Sequence, residues 1–248
     1  MLTIKNRTIG VGKPLICIPI MDTTKKAIIE EAKNLIELGA DMLEWRVDAF
    51  EQVTSLNAVR EVLHELAPIV KDVIFLYTFR SKEQGGMCAM NYEQVYDLHQ
   101  VAAESGIVDF IDVEYFKDDN VNKEIRTLQK KGVKVITSHH DFYETPSEEI
   151  MFFLLEKMAE SGTDIVKLAV MPQSTEDVLK LLSETNHFHK EYPDIPLITM
   201  SMGKLGSISR VSGETFGSCI TFGAGKNASA PGQIPVKRLR QILDAISG

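Results

Sequence analysis

Ile165-Val166-Lys167-Leu168-Ala169-Val170 is an apolar run of strand length interrupted by a single lysine. Just before it, Ile150, Phe153, Leu154 and Met158 recur at three- and four-residue steps, which places one apolar stripe on a helix. The same pairing of short run and helical stripe repeats along the chain. Strand-like runs cover residues 15–20, 42–47, 73–79, 108–113, 133–137, 165–170, 196–200 and 218–222. Other stripes are Ala27, Ile28, Ala32, Leu35 and Ile36; Leu56, Val59, Val62, Leu63 and Leu66; and Val236, Leu239, Ile242, Leu243 and Ile246. Eight runs in 248 residues give about 31 residues per unit, the spacing of a (β/α)8 barrel. A doubly wound open sheet is the alternative architecture.

Residues 2–11, with Lys5-Asn6-Arg7 at their middle, read as a small β-hairpin that closes the bottom of the barrel. Thr145-Pro146-Ser147-Glu148 reads as a helix start with the Thr145 hydroxyl as cap, and Pro235 opens the final helix. The seventh unit is the weakest, because residues 203–213 are glycine-rich and support at best a short helix. No linker or composition break divides the chain, so a single domain over 1–248 is expected.

Hydrophobic residues make up 44% and charged residues 25%, ordinary for a globular protein with a sizeable core. The formal net charge is −8. With no basic block, the chain is a poor ligand for nucleic acid or anionic membranes. An anionic substrate would need local arginines. The three cysteines are far apart and form no CxxC, which fits a reducing compartment. No signal-peptide run and no stretch near the ~20 apolar residues of a membrane span occur, so the expected location is the cytoplasm.

Barrel strands are covered on both faces and should read as almost continuous apolar runs. Ionisable residues inside them, near the C-terminal ends where active sites of this architecture sit, are the informative exceptions. Lys167 is the sharpest. Burial disfavours the charged form of lysine, and a neutral amine can form a Schiff base with a carbonyl. The plainer reading is a lysine that snorkels out or pairs with a carboxylate.

Glu44, Arg46 and Asp48 alternate, so period 2 sets them on one face. Asp112 and Glu114 repeat that pattern, as structural partners of Arg46 or Lys167 or as catalytic groups. Arg80 sits where the third run becomes a loop containing Gly85-Gly86, and its planar fork suits a carboxylate or hydroxyl-rich ligand. His139 and His140 end the fifth run. Only one of them can face the mouth, and no HxxxH or HExxH partner supports a metal. Arg210 could grip a carboxylate at the rim. After the eighth run, residues 223–233 form a long small-residue segment suited to a lid.

Together these pieces resemble type I 3-dehydroquinate dehydratases. The resemblance rests on Glu44-Trp45-Arg46-Val47-Asp48, Thr78-Phe79-Arg80-Ser81, Ser138-His139-His140-Asp141-Phe142, Lys167-Leu168-Ala169-Val170-Met171-Pro172, Ile208-Ser209-Arg210 and Ala228-Ser229-Ala230-Pro231-Gly232-Gln233. It implies that Lys167 forms an imine with the substrate ketone and that His140 is the general acid and base. Arg210 would grip the carboxylate, Glu44, Arg46 and Arg80 would hold hydroxyls, and Ser229 and Gln233 would close from the lid. It also implies a cofactor-free and metal-free reaction, a product of 3-dehydroshikimate, and a homodimer. One departure stands out. The family often has a glutamate directly before the Gly-Gly pair to orient the histidine; here that residue is Gln84, with Glu83 one position earlier. Competing readings are a class I aldolase with a phosphate cradle at residues 223–225, and a non-catalytic ligand-binding barrel.

Overall fold

In the computed structural model, which describes residues 2–226 and 229–247, the apolar runs become parallel strands and the amphipathic stripes pack over them. Strands β1 (Leu2–Ile4) and β2 (Arg7–Ile9) form an antiparallel hairpin in which Ile4 faces Arg7 across a two-residue turn. Lys5 in that turn has φ 45°, the left-handed conformation that such hairpins require.

Regular β–α alternation follows. The units are β3 (Leu15–Ile20) with α1 (Lys25–Glu37), β4 (Met42–Arg46) with α2 (Leu56–Val70), and β5 (Ile74–Thr78) with α3 (Tyr92–Glu104). Then come β6 (Phe110–Glu114) with α4 (Val121–Lys130), β7 (Lys134–His140) with α5 (Glu148–Glu160), and β8 (Ile165–Val170) with α6 (Thr175–Glu191). β9 (Leu197–Ser201) is followed by a 3-10 turn over Leu205–Arg210 and the four-residue α7 (Gly213–Phe216). The last unit is β10 (Ile220–Ala224), the two-residue β11 (Ile234–Pro235) and α8 (Val236–Ile246).

Neighbouring strands run parallel in the order β11-β10-β3-β4-β5-β6-β7-β8-β9. The two edges meet where Leu197 bridges Ser218 and the Cys219 N–H donates to the Leu197 carbonyl at 2.8 Å. Leu15 N–H in turn donates to the Cys219 carbonyl at 3.0 Å. The sheet therefore closes into the expected barrel instead of lying open. The short β11 is an addition that the sequence did not suggest.

Inward positions at the strand starts fill the lower barrel with Cys17, Met42, Ile74, Phe110, Ile136, Ile165 and Ile220. Ile9 of the hairpin packs into the same cluster, and Lys5 Nζ donates to the carbonyls of Val70 and Val73, so the hairpin plugs the bottom as expected. Outward residues pack beneath the helices. Trp45 is fully buried there, with its ring edge-on to Tyr77 at 5.5 Å.

Local signals shift at a few places. Helix α5 is capped by Ser147, whose Oγ accepts from Ile150 N–H, and not by Thr145, whose hydroxyl is buried without a partner among the described residues. Ser147 is followed directly by Glu148 and Glu149, whose charges suit the positive end of the helix dipole. Pro235 lies at the cap of α8, one residue before its first helical position. The seventh unit carries only the short helix that its glycines allow.

Candidate active site

Strand pairing decides which side chains share the mouth. On β4, Glu44 and Arg46 alternate inward above Met42. Register then aligns Arg46 with Thr78, Thr78 with Asp112, Glu114 with Ser138, and Ser138 with Lys167. A polar layer thus lies directly over the apolar interior. Asp48 falls outside it: β4 ends at Arg46, and Asp48 sits in the following 3-10 turn. There it takes a bidentate pair from Arg46 at 2.8 Å and accepts the backbone N–H groups of Arg80 and Met87. Its role is to anchor the neighbouring loop.

Lys167 is 3% exposed, but its surroundings are not purely aliphatic. Its Nζ lies 3.0 Å from Asp112 Oδ2 and 4.5 Å from the centroid of the Phe222 ring. Asp112 also accepts from Arg80 Nη2 at 2.9 Å and from Ser138 Oγ at 2.5 Å. Burial alone would raise the Asp112 pKa, but Arg80, Lys167 and the Ser138 hydroxyl bring it down to about 2. Asp112 is therefore a fixed anion. Arg80 directs three of its donors inside the protein, to Asp112, to Glu114 at 2.9 Å and to Ser138 at 3.0 Å. It borders the mouth while bracing the network beneath Lys167.

The two histidines separate as strand alternation requires. His139 turns outward, with its ring edge-on to Phe116 at 5.5 Å. His140 lines the same cavity as Lys167, Glu44, Arg46 and Arg80. Burial, then the charges of Arg80, Lys167 and Arg46, push its pKa well below the ordinary 6.5.

Gln84, not Glu83, meets His140. Gln84 Oε1 accepts the His140 backbone N–H at 2.7 Å and lies 3.3 Å from Nδ1. An atom that accepts a backbone N–H must be the amide oxygen, so Nδ1 carries the ring proton and Nε2 presents the lone pair. Glu83 is exposed and paired with Lys117 at 3.0 Å.

Gly85 and Gly86 make this placement possible. Gly85 has φ 86°, and a β-carbon there would collide with the Phe142 ring; at Gly86 it would collide with the Arg80 carbonyl. Gln84→Glu should raise the His140 pKa and move the acidic limb of the kcat profile upward by about 1 unit. Gln84→Met should leave that limb low and cut kcat by ~10-fold, since the ring loses its acceptor. A pH–rate series on both variants checks this.

Arg210 is 1% exposed, yet among the described residues no carboxylate pairs with it. Among the described residues, Nη1 and Nη2 reach only the carbonyls of Phe222 (3.4 Å) and Pro231 (2.9 Å), and Nε has no partner. Burial lowers its pKa to about 10, which still leaves a cation at neutral pH. It lies just behind the cavity lining.

The lid segment is folded over the mouth. Ser229 N–H donates to Gln233 Oε1 at 2.8 Å, and Gln233 Nε2 donates to Ser229 Oγ at 2.9 Å. Gly203 N–H donates to the Pro231 carbonyl, and Gly232 packs so closely on Gly203 that a β-carbon would collide with its carbonyl. Ala228, part of the lid motif, lies outside the described residues. Gly223 packs against Leu239 and Ile16, and Gly225 against Leu35, which is helix packing and not a phosphate cradle.

The sequence missed the apolar part of the lining: Phe142, Met200, Met202 and Phe222. Their only signal is position at the ends of β7, β9 and β10.

A closed barrel with a lysine–histidine mouth at the C-terminal ends of its strands defines a barrel enzyme that acts on a small molecule. The family described as type I 3-dehydroquinase matches residues 16–248. The 3-dehydroquinate dehydratase of Clostridioides difficile (strain 630) is 48% identical over 244 residues, 98% of this chain and 96% of that protein. That of Klebsiella pneumoniae (strain 342) is 44% identical and covers 99% of this chain and 98% of its own length. Among solved structures, the type I enzyme of Clostridium difficile with covalently modified comenic acid superposes with a TM-score of 0.95 at 48% identity, covering 99% and 97% of the two chains. The Geobacillus kaustophilus HTA426 dehydratase gives 0.96 at 35% identity, covering 99% and 95%. The chain belongs to the type I 3-dehydroquinase family.

Proposed function

We propose that this protein removes water from 3-dehydroquinate to give 3-dehydroshikimate through an imine on Lys167. The observation that carries the reading is that Lys167 and His140 share one cavity, with the His140 Nε2 lone pair free of Gln84. Lys167 must shed a proton to attack the ketone, and Nε2 is the acceptor at hand. His140 returns that proton to the carbinolamine hydroxyl, which leaves as water and gives an iminium, a far better electron sink than a ketone. His140 then takes the proton α to the imine carbon. The electron pair forms the new double bond as the β-hydroxyl leaves with a proton from His140. Hydrolysis of the imine restores Lys167. The Asp112 anion beside Nζ offsets the iminium charge throughout.

Glu44, which accepts from the Thr78 hydroxyl at 2.8 Å, and Arg46 are assigned to the substrate hydroxyls. Ser229 and Gln233 close from above. Arg80, which lines the cavity, is assigned to the substrate hydroxyls as well and also braces Asp112. The buried cation of Arg210 is assigned to the carboxylate. Appearance of an enone band near 234 nm on adding 3-dehydroquinate is the expected result; a flat trace with folded protein refutes the reading.

Arg210→Met should raise KM by at least ~10-fold with a smaller loss in kcat, because it removes a contact made before chemistry begins. Steady-state kinetics check this; a fall in kcat at constant KM would contradict it. The reading extends to a single-domain, cytoplasmic homodimer. Supporting it are the continuous barrel, the family resemblance and the fact that no described helix is long and apolar enough to cross a membrane.

A further inference from the structure

Asp48 stands behind the mouth, in the 3-10 turn that follows β4, with its side chain fully buried. It does not line the cavity that holds Lys167 and His140. Its two oxygens divide their contacts alike. Oδ1 accepts from Arg46 Nε at 2.8 Å and from the Arg80 N–H at 3.2 Å. Oδ2 accepts from Arg46 Nη2 at 2.8 Å and from the Met87 N–H at 3.0 Å. A carboxylate offers about four lone-pair sites, and here each takes one donor. Burial alone would raise the Asp48 pKa, but the Arg46 pair and the two backbone N–H groups bring it below the ordinary carboxylate value. Asp48 is therefore an anion at neutral pH, pinned from four directions.

The donors on those oxygens lead to two different parts of the site. On one side is Arg46. Asp48 takes one edge of its guanidinium, and among the described residues no other group bonds it, so the opposite edge is left for the cavity that Arg46 lines. On the other side is the loop that carries Gln84. The Gln84 and Gly86 N–H groups both donate to the Ser81 carbonyl, at 3.0 and 2.8 Å, and Ser81 bridges Cys88, so the loop is closed on itself. Its start is tied twice: Asp48 takes the Arg80 N–H, and Glu114 takes the Ser81 N–H at 2.9 Å. Its far end is tied at Met87, whose N–H reaches only Asp48 among the described residues. From within this loop, Gln84 Oε1 meets His140 Nδ1 at 3.3 Å.

We infer that Asp48 is a positioning residue of the reaction: one carboxylate fixes both the plane of the Arg46 fork and the loop through which Gln84 aims the His140 ring. A shift of either moves the oxygens that hold the other, so the grip on substrate and the orientation of the base are set together. Asp48 touches neither substrate nor base and acts only through Arg46 and Gln84. The substrate arm rests on the dehydratase reading; the histidine arm does not.

Asp48→Asn in the full-length protein tests both arms. The amide keeps the shape but places an NH2 group where one oxygen stood, and that group cannot accept from Arg46 or from a backbone N–H. Nitrogen NMR of the labelled histidine rings reads the histidine arm: the native His140 ring should carry its proton on Nδ1, and the variant should shift toward the Nε2–H tautomer. Kinetics read the substrate arm. Asp48→Asn should raise the KM for 3-dehydroquinate by at least ~10-fold in the native background but by less than about 3-fold in an Arg46→Met background, because the effect runs through Arg46. If loss of the charge unfolds the chain, Asp48→Glu keeps the anion and displaces its oxygens by one methylene, and the same two shifts are expected. Unchanged His140 signals in a folded variant overturn the link to the base. A KM rise of equal size with and without Arg46, or no rise at all, overturns the link to substrate. Absence of turnover in the native protein would refute the dehydratase reading, while the ring signals would still decide whether Asp48 orients His140.

Discussion

Replacing Lys167 by methionine should leave a folded protein that no longer forms an imine and turns over at least ~10⁴-fold more slowly. The size of the effect follows from the chemistry: without the amine there is no iminium, and a ketone alone is a poor sink for the electrons of the breaking C–H bond. Survival of the fold follows from the local network. Removing one partner of a buried pair is severe when the other is left uncompensated. Here Asp112 keeps Arg80 Nη2 at 2.9 Å and Ser138 Oγ at 2.5 Å, so its charge remains held. Methionine retains most of the length of lysine against the Phe222 ring. Borohydride reduction with 3-dehydroquinate should add the ligand mass to the Lys167 peptide of the native protein and to no peptide of the variant. A label on the variant, or native-like turnover, would remove Lys167 from the reaction. A mass gained only with a sugar phosphate would point to aldolase chemistry.

That lysine was legible because of where it stands. Parallel strands buried on both faces leave a nearly unbroken apolar text, and Lys167, Glu44 and Arg46 are the words that do not belong. The same rule explains what was hidden. Phe222 and Met200 point into the mouth, yet in a strand covered on both sides an inward apolar residue reads like an outward one. Only the register identifies them. The partner of Lys167 was visible as a candidate but not as a choice, since Asp112 is 55 residues away and reaches it across β7. Apolar neighbours along the chain suggested an isolated amine; neighbours across the barrel supply an anion and an aromatic face. Asp48 misled in the opposite sense. Period 2 grouped it with Glu44 and Arg46, but the strand had already turned into a 3-10 helix.

Gln84 and Glu83 could not be told apart by sequence because their placement depends on a loop. Gly85, in the left-handed conformation, and Gly86, pressed on the Arg80 carbonyl, together turn Gln84 inward and leave Glu83 to solvent and Lys117. Two glycines at a turn advertise freedom; here they record a close approach, with the Phe142 ring on one side and backbone on the other. The consequence is chemical. A glutamate at this position would favour the imidazolium, whereas the amide orients the ring without holding its charge. Burial first, and then the charges of Arg80, Lys167 and Arg46, lower the proton affinity of His140, and among the described residues no carboxylate pairs with it.

His140→Ala should then behave unlike the lysine variant. Lys167 remains, so the imine still forms, more slowly with water in place of Nε2 as proton acceptor, and borohydride still traps it, but elimination slows by at least ~10² because the imidazole that takes the α proton and returns it to the leaving hydroxyl is gone. The native kcat should stay flat down through pH 6.5 and fall only in more acidic solution. The sign follows from the shift: a pKa pushed below the ordinary imidazole value keeps the base unprotonated to lower pH. In the variant that acidic limb should vanish from what activity remains. His139→Ala is the matched control. Its ring packs on Phe116, outside the mouth, so turnover should change by less than about 3-fold. The pair of variants discriminates between the two faces of β7: a larger loss at position 139 than at 140 would mean that proton transfer runs through the outward ring, which the Gln84 contact and the shared cavity with Lys167 both contradict.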